Sequence, residues 1–185
     1  VQNTYVKAIR ADRVCNLGSQ LQGQGVGVAV VDSGVDPQQD LYTNGTSRLV
    51  ASVYFNEGYN QHPYDVYGHG NHVAGIIAGN GDQSDGDYIG VAPRANIINV
   101  KVNGDQGGAS ASSVVAGLQW ILNNKSRYNI RVVNISMNSE VAESYHTSPI
   151  NAAVEILWFN KIVVVVSAGN HGSTRLYPPA NDPFV

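Results

Sequence analysis

The sequence predicts an α/β domain with an open, mostly parallel, doubly wound sheet and helices on both faces. Short apolar runs rich in β-branched residues alternate with segments whose apolar residues recur at helical spacing. The runs are apolar almost throughout, as expected for strands that are covered on both faces. Strands that alternate with helices in this way pair in parallel through right-handed crossovers.

The first predicted strand is residues 26–31, VGVAVV, which glycines precede and Asp32-Ser33-Gly34 follows. Turn-forming residues on both sides of an apolar run are typical of a buried strand. Four further runs have the same character and complete the predicted sheet, at residues 48–55, 95–102, 131–136 and 161–167.

Helical patterns separate the later strands. In residues 110–124, Val114, Leu118 and Ile121 recur at the spacing of one helix face, and serines can cap the start. Residues 149–160 begin with proline after a serine, which is a helix-start signal. No repeat, linker or low-complexity segment is present, so we expect one domain over residues 1–185. We expect that domain to be incomplete at its C-terminus, because the proline-rich end carries no closing helix or strand.

Composition and charge exclude several classes of protein. The chain has 43% hydrophobic and 14% charged residues, as in ordinary soluble domains, and a formal net charge of −3. Nucleic acid and membrane surfaces are therefore not expected partners. The single cysteine excludes an internal disulfide and a multi-thiolate metal site. The longest apolar run, residues 162–166, is too short to span a bilayer.

Polar residues follow the predicted strands, at the edge where open parallel sheets hold their sites. Asp32 comes directly after the first strand, and His69 begins a predicted helix among glycines. Residues 136–138, Ser-Met-Asn, end the fourth strand, and residues 168–170, Ala-Gly-Asn, follow the fifth. Each feature alone has an ordinary structural explanation, but their conjunction indicates a site.

Four motifs carry a family resemblance. DSGVD after an apolar run, HGxHVAG, GVAPxA, and SAGN after VVVV stand in the order and spacing of the subtilases. The chain resembles this family of subtilisin-like serine proteases over essentially its whole length. The resemblance implies a subtilisin-like fold, hydrolysis of protein or peptide substrates through an acyl-enzyme, and a secreted, extracellular protein.

The resemblance also assigns roles to residues. Asp32 orients a histidine and stabilises its protonated form, and His69 is the general base that moves the proton of a serine hydroxyl. Asn170 donates its side-chain amide to the developing oxyanion. The implied substrate-binding residues are Ser136, Met137, Asn138, Ala168 and Gly169.

The nucleophilic serine is the largest departure from the family pattern. The family's Gly-Thr-Ser-Met-Ala motif is absent, and Gly45-Thr46-Ser47 precedes His69, in the wrong order. We expect the serine to lie outside this chain, so that the chain alone is inactive. The expected partner is a C-terminal fragment that carries the serine, or a second copy that covers the exposed apolar surface. The alternative is an inert, or peptide- or inhibitor-binding, protease fragment.

Further departures affect the surroundings of the site. Asn138 and Ser139 stand where the family usually has two glycines, and Asn71 replaces a threonine. Asp40 matches a family calcium ligand, and residues 80–87 carry three aspartates, so calcium is a candidate cofactor and no other is expected.

Two other chemistries explain the residues less well. His69 and His72 could bind a transition metal, and Asp32 could accept a phosphoryl group. The histidine spacing is not H-E-x-x-H, and no second carboxylate motif supports a metal site. A phosphoryl-accepting aspartate would explain neither His69 nor Asn170.

Overall fold

A computed structural model describes residues 4–15, 21–56, 61–170, 172 and 174–185. Its centre is a sheet in which every pairing among the described strands is parallel. The strands of this sheet are β1 (Gly27–Asp32), β4 (Leu49–Tyr54), β5 (Asn96–Lys101), β6 (Ile130–Ile135) and β7 (Val163–Val166). A small hairpin joins β2 (Tyr42–Thr43) to β3 (Thr46–Ser47).

Helices precede the first strand and separate the later strands of the sheet. They are α1 (Thr4–Ala8), α2 (Ala11–Cys15), α3 (His69–Ala78), α4 (Ala111–Asn124) and α5 (Pro149–Phe159). Two short 3₁₀ helices lie at Gln39–Leu41 and Asp82–Ser84. The predicted strands and helices are confirmed, with ends that differ by one or two residues.

The sheet is covered by helices on both faces. On one face, α4 and α5 place Leu118 and Val154 in the larger apolar cluster, together with Ala29 of β1. On the other face, α3 places Ala74 in a second cluster with Val30. This is the open, doubly wound arrangement expected from the alternation of strands and helices.

The order of strands across the sheet is β4-β5-β1-β6-β7. From β1 the chain passes to the edge strand β4, returns to β5 beside β1 and then crosses to β6 and β7, so the connections that leave β1 and its neighbour β5 run in opposite directions. In such sheets, a crevice opens beyond the carboxyl ends of the strands at the reversal point. Asp32 is the last residue of β1, and it pairs in register with Lys101 of β5.

The hairpin was not among the predicted elements. Asn44 and Gly45 connect its strands, with φ angles of 51° and 76° that suit a tight two-residue turn. Thr46 and Ser47 pair with Thr43 and Tyr42. The Gly-Thr-Ser sequence at 45–47 therefore belongs to a hairpin.

Candidate active site

Asp32 stands at the centre of the candidate site. Its side chain is buried, because β1 is flanked by strands on both sides and covered by helices. Asp32 Oδ1 accepts the backbone N–H of Ser33 at 2.7 Å and lies 2.7 Å from His69 Nδ1. Within the described residues, Asp32 Oδ2 has no hydrogen-bond partner. The carboxylate can thus fix a protonated Nδ1 in a set direction.

His69 begins α3, and its side chain is 43% exposed. Because Nδ1 faces Asp32, Nε2 is the ring nitrogen left for proton transfer. Gly68 precedes the helix with a φ of 90°, a left-handed conformation that glycine adopts without strain. The local sequence therefore turns the chain sharply into the helix and presents the imidazole at the sheet edge.

Gly70 lets α3 approach the segment that follows β1. A Cβ atom at Gly70 would lie only 2.0 Å from the carbonyl oxygen of Gly34, so a side chain cannot be accommodated there. The backbone N–H of Gly70 donates to Ser33 Oγ at 3.0 Å. This close packing brings His69 within hydrogen-bond distance of Asp32.

The predicted substrate strand follows β6. Ser136, Met137 and Asn138 are half-buried. Met137 and Asn138 line a cleft of about 460 Å³, together with the glycines at 107 and 108 and apolar residues of α4 and α5. The cleft can take an extended peptide segment with a side chain directed into it.

The residues predicted to form the pocket wall and the oxyanion donor follow β7. Ala168 and Asn170 are exposed, and Gly169 has a φ of 91°. A Cβ at Gly169 would meet the Asn138 amide nitrogen at 2.3 Å, so these two segments face each other closely. Asn170 lies at the same edge of the sheet as Asp32, because the strands are parallel.

Asn71, which stands where the family usually has threonine, forms two hydrogen bonds with Asp36. Its Oδ1 accepts the Asp36 backbone N–H at 2.8 Å, and its Nδ2 donates to Asp36 Oδ2 at 2.9 Å. Asn71 therefore ties the first turn of α3 to the loop that follows β1.

Asp40, the expected calcium ligand, contacts the loop that carries the aspartates of residues 80–87. Asp40 Oδ1 accepts the backbone N–H of Gln83 at 2.8 Å, so the carboxylate is used to hold the neighbouring loop. Across the described residues, no group of three or more carboxylate, histidine or cysteine side chains could hold a metal ion. Calcium binding at Asp40 therefore stays a prediction.

Sequence reasoning missed a group of buried polar residues beside the site. Lys101 is fully buried, and its ammonium donates to the Tyr64 carbonyl at 2.6 Å and to Asp105 Oδ1 at 2.8 Å. These bonds hold the segment that leads to His69. Asp65 and Ser33 are also buried, and the Ser33 hydroxyl donates to Asp65 Oδ1 at 2.8 Å. The sequence contains one signal for this group: Ser33 directly follows Asp32, and Asp65 lies four residues before His69.

Comparison with known proteins identifies the family. The sequence model of the subtilase family matches residues 23–183, which is most of the chain. The chain belongs to the subtilase family. Subtilases are serine proteases, so the predicted resemblance is confirmed.

Individual relatives agree with this membership. The chain is 37% identical over 181 residues to serine protease AprX of Bacillus subtilis strain 168, covering 92% of this chain and 38% of AprX. It is 33% identical over 175 residues to subtilisin Savinase of Lederbergia lenta, covering 95% and 58%. It therefore spans between 38% and 58% of the length of these two relatives.

A solved structure supports the fold. The S41 psychrophilic protease matches with a TM-score of 0.71 and 30% identity, over 85% of this chain and 50% of that one. This similarity agrees with the family membership and with the fold described above. In the described part of the subtilase, no helix is both long and apolar enough to cross a bilayer.

Proposed function

We propose that this subtilase chain is part of an extracellular serine endopeptidase. It supplies the general base His69 and the orienting carboxylate of Asp32, and the nucleophilic serine lies outside residues 1–185. The observation that carries the proposal is the 2.7 Å contact between His69 Nδ1 and Asp32 Oδ1 at the strand-order reversal. An imidazole held in this way by a buried carboxylate can activate a hydroxyl nucleophile.

In the proposed reaction, the serine oxygen attacks the carbonyl carbon of the scissile peptide bond while its proton passes to His69 Nε2. Asp32 stabilises the imidazolium that forms. The proton then passes to the leaving amine as the C–N bond breaks, leaving an acyl-enzyme. A water molecule attacks the acyl carbon by the same proton route, which releases the acid and restores the serine.

Substrate binding falls to the segments after β6 and β7. The backbone of residues 136–138 pairs with an extended peptide, as in strand addition to a sheet edge. Ala168 and Gly169 line the pocket for the residue before the scissile bond. Asn170 donates its amide to the oxyanion, where a preorganised donor stabilises the developing charge. The exposure of Asn170 is consistent with a group that meets its acceptor only when substrate binds.

Part of the sheet is left uncovered at β7. On the α3 face, Val163 and Val165 of β7 are 51% and 48% exposed, whereas Val164 on the opposite face is buried. Apolar strand residues on a bare face favour a covering element. A polypeptide segment from outside residues 1–185, carrying the serine, is the proposed occupant. A second copy of the chain is the other outcome of the test.

The proposal is tested on the longest natural form of the protein that contains residues 1–185, with any polypeptide that copurifies. A fluorophosphonate should label a serine outside this chain, and peptide hydrolysis should accompany labelling. Asp32→Asn should lower kcat about 10⁴-fold, because the histidine loses its orienting carboxylate. Hydrolysis rates and intact masses provide the measurement.

His72→Ala is the matched control, because His72 lies on the same helix and is exposed. It should leave labelling and hydrolysis unchanged. If no serine is labelled and no peptide is cleaved, while peptides or inhibitors still bind, the chain is a binding fragment and the endopeptidase proposal is wrong.

A further inference from the structure

A buried carboxylate lies behind the Asp32–His69 pair and contacts both elements that carry it. Asp65 is 8% exposed, and it precedes α3 by four residues. We propose that Asp65 is a positioning residue, which holds His69 on Asp32 and keeps Asp32 Oδ1 available to the histidine. The inference rests on the proposed proteolytic function.

The Asp65 carboxylate accepts hydrogen bonds from the backbone at the start of α3. Asp65 Oδ1 accepts the backbone N–H of Gly68 at 2.8 Å, and Asp65 Oδ2 accepts that of Asn71 at 2.7 Å. Backbone N–H groups in the first turn of a helix have no partner within the helix, and an anion there is favoured by the helix dipole. Because Gly68 and Asn71 flank His69, these bonds fix the position and direction of the backbone that carries the imidazole.

The same carboxylate reaches the other half of the pair through Ser33. The Ser33 hydroxyl donates to Asp65 Oδ1 at 2.8 Å and accepts the Gly70 N–H at 3.0 Å. It also lies 3.2 Å from Asp32 Oδ1. One serine therefore joins β1, the start of α3 and Asp65.

The Ser33 hydroxyl has only one proton to donate. The shorter contact gives that proton to Asp65. Without an acceptor at position 65, the hydroxyl would donate to Asp32 Oδ1, the oxygen that faces His69 Nδ1. Asp65 thus keeps the Ser33 hydroxyl from competing with His69 Nδ1 for Asp32 Oδ1. This role affects the Asp32–His69 hydrogen bond itself and not only the fold.

A second attachment of α3 provides a control. The paired bonds between Asn71 and Asp36 also hold the first turn, but they reach neither Ser33 nor Asp32. Asn71→Thr replaces the amide by a shorter hydroxyl side chain, which disturbs this pair of bonds, and leaves the backbone N–H of residue 71 free to bond Asp65. A purely structural role for the polar cluster would make Asn71→Thr and Asp65→Asn similar in effect.

The experiment compares Asp65→Asn with Asn71→Thr in the natural, serine-containing protein. An amide at position 65 cannot accept from the Gly68 and Asn71 N–H groups and the Ser33 hydroxyl together, since one of its two atoms is a donor. Asp65→Asn should lower kcat about 100-fold with KM nearly unchanged, the effect of a small misplacement of a catalytic group. Asn71→Thr should change kcat by less than about 3-fold, since the Asp65 bonds persist.

A spectroscopic readout separates positioning from folding. The proton on His69 Nδ1 is followed by NMR in protein with ¹⁵N-labelled histidine. Its resonance should move upfield or disappear in Asp65→Asn and persist in Asn71→Thr. Asp65→Glu retains the charge and should recover part of the lost kcat, and it replaces Asp65→Asn in the test if that variant does not fold.

The outcomes are distinguishable. Unchanged kcat and an unchanged Nδ1 resonance in a folded Asp65→Asn variant would show that Asp65 is not a positioning residue. Where Asp65→Asn cannot be assayed, Asp65→Glu is used, because its longer side chain cannot keep all three bonds in place; a kcat and an Nδ1 resonance both equal to those of the wild type would then show the same. Absence of fluorophosphonate labelling in the wild-type protein would instead remove the proposed function.

Discussion

At the scale of single residues, Arg48 holds together three segments near the predicted calcium position. Its Nη1 donates to the Ala95 carbonyl at 2.8 Å, and its Nη2 donates to the carbonyls of Asp40 and Ala78 at 2.7 and 2.8 Å. Burial lowers the pKa of the Arg48 guanidinium, and the charge of Asp40 opposes that shift. The guanidinium therefore satisfies three backbone carbonyls at once.

Arg48→Lys is expected to lower the free energy of unfolding by about 2 kcal/mol. An ammonium cannot reproduce the planar fork, so at least one buried carbonyl loses its donor. Arg131→Lys, on an exposed part of β6, should change stability by less than about 0.5 kcal/mol. Urea unfolding of the two variants measures the difference, and equal values would argue against the bonding role of Arg48.

At the scale of secondary-structure elements, the cap of α4 shows how local sequence sets a boundary. Ser110 has an extended backbone, and its side chain accepts the N–H of Ser113 at 3.1 Å. This bond satisfies one of the free donors of the first turn, and it explains why the helix begins at Ala111.

Ser110→Ala should therefore destabilise the protein by about 1 kcal/mol. Ser126→Ala, at an exposed position after the same helix, is the matched control and should have little effect. Thermal unfolding followed by circular dichroism checks the pair. A Tm for Ser110→Ala equal to that of Ser126→Ala would contradict the capping role.

The elements also show which features could be predicted from sequence. The buried strands were predictable because their apolar runs are bounded by turn residues, and Asp32 and His69 because they sit in distinctive motifs. The helices α1 and α2 were not predicted: each has five residues, and none of α1 is buried. Helices this short depend on tertiary contacts. Asp65 was not predicted because its three partners come together only in the folded chain.

At the scale of the whole molecule, the two faces of the sheet are unequally covered. The helices α4 and α5 cover one face, whereas α3 leaves the β7 side of the other face exposed. Residues 1–185 produced alone are therefore expected to self-associate through Val163 and Val165.

Val163→Lys combined with Val165→Lys should shift this chain towards monomer in analytical ultracentrifugation. Val50→Lys, on the opposite edge strand β4, is the control and should leave association unchanged. A wild-type chain that is monomeric at all concentrations would contradict the expectation.

The contact between Gly70 and Gly34 also bears on how the cleft adapts to different substrates. A helix seated this closely on backbone atoms has no room to slide or roll, since the gap is smaller than one methyl group. The start of α3, which carries His69, is therefore held rigidly against the segment that follows β1. Asn138 is held closely as well, because a Cβ at Gly169 would meet its amide nitrogen at 2.3 Å, so a peptide has to adapt its own shape to the cleft.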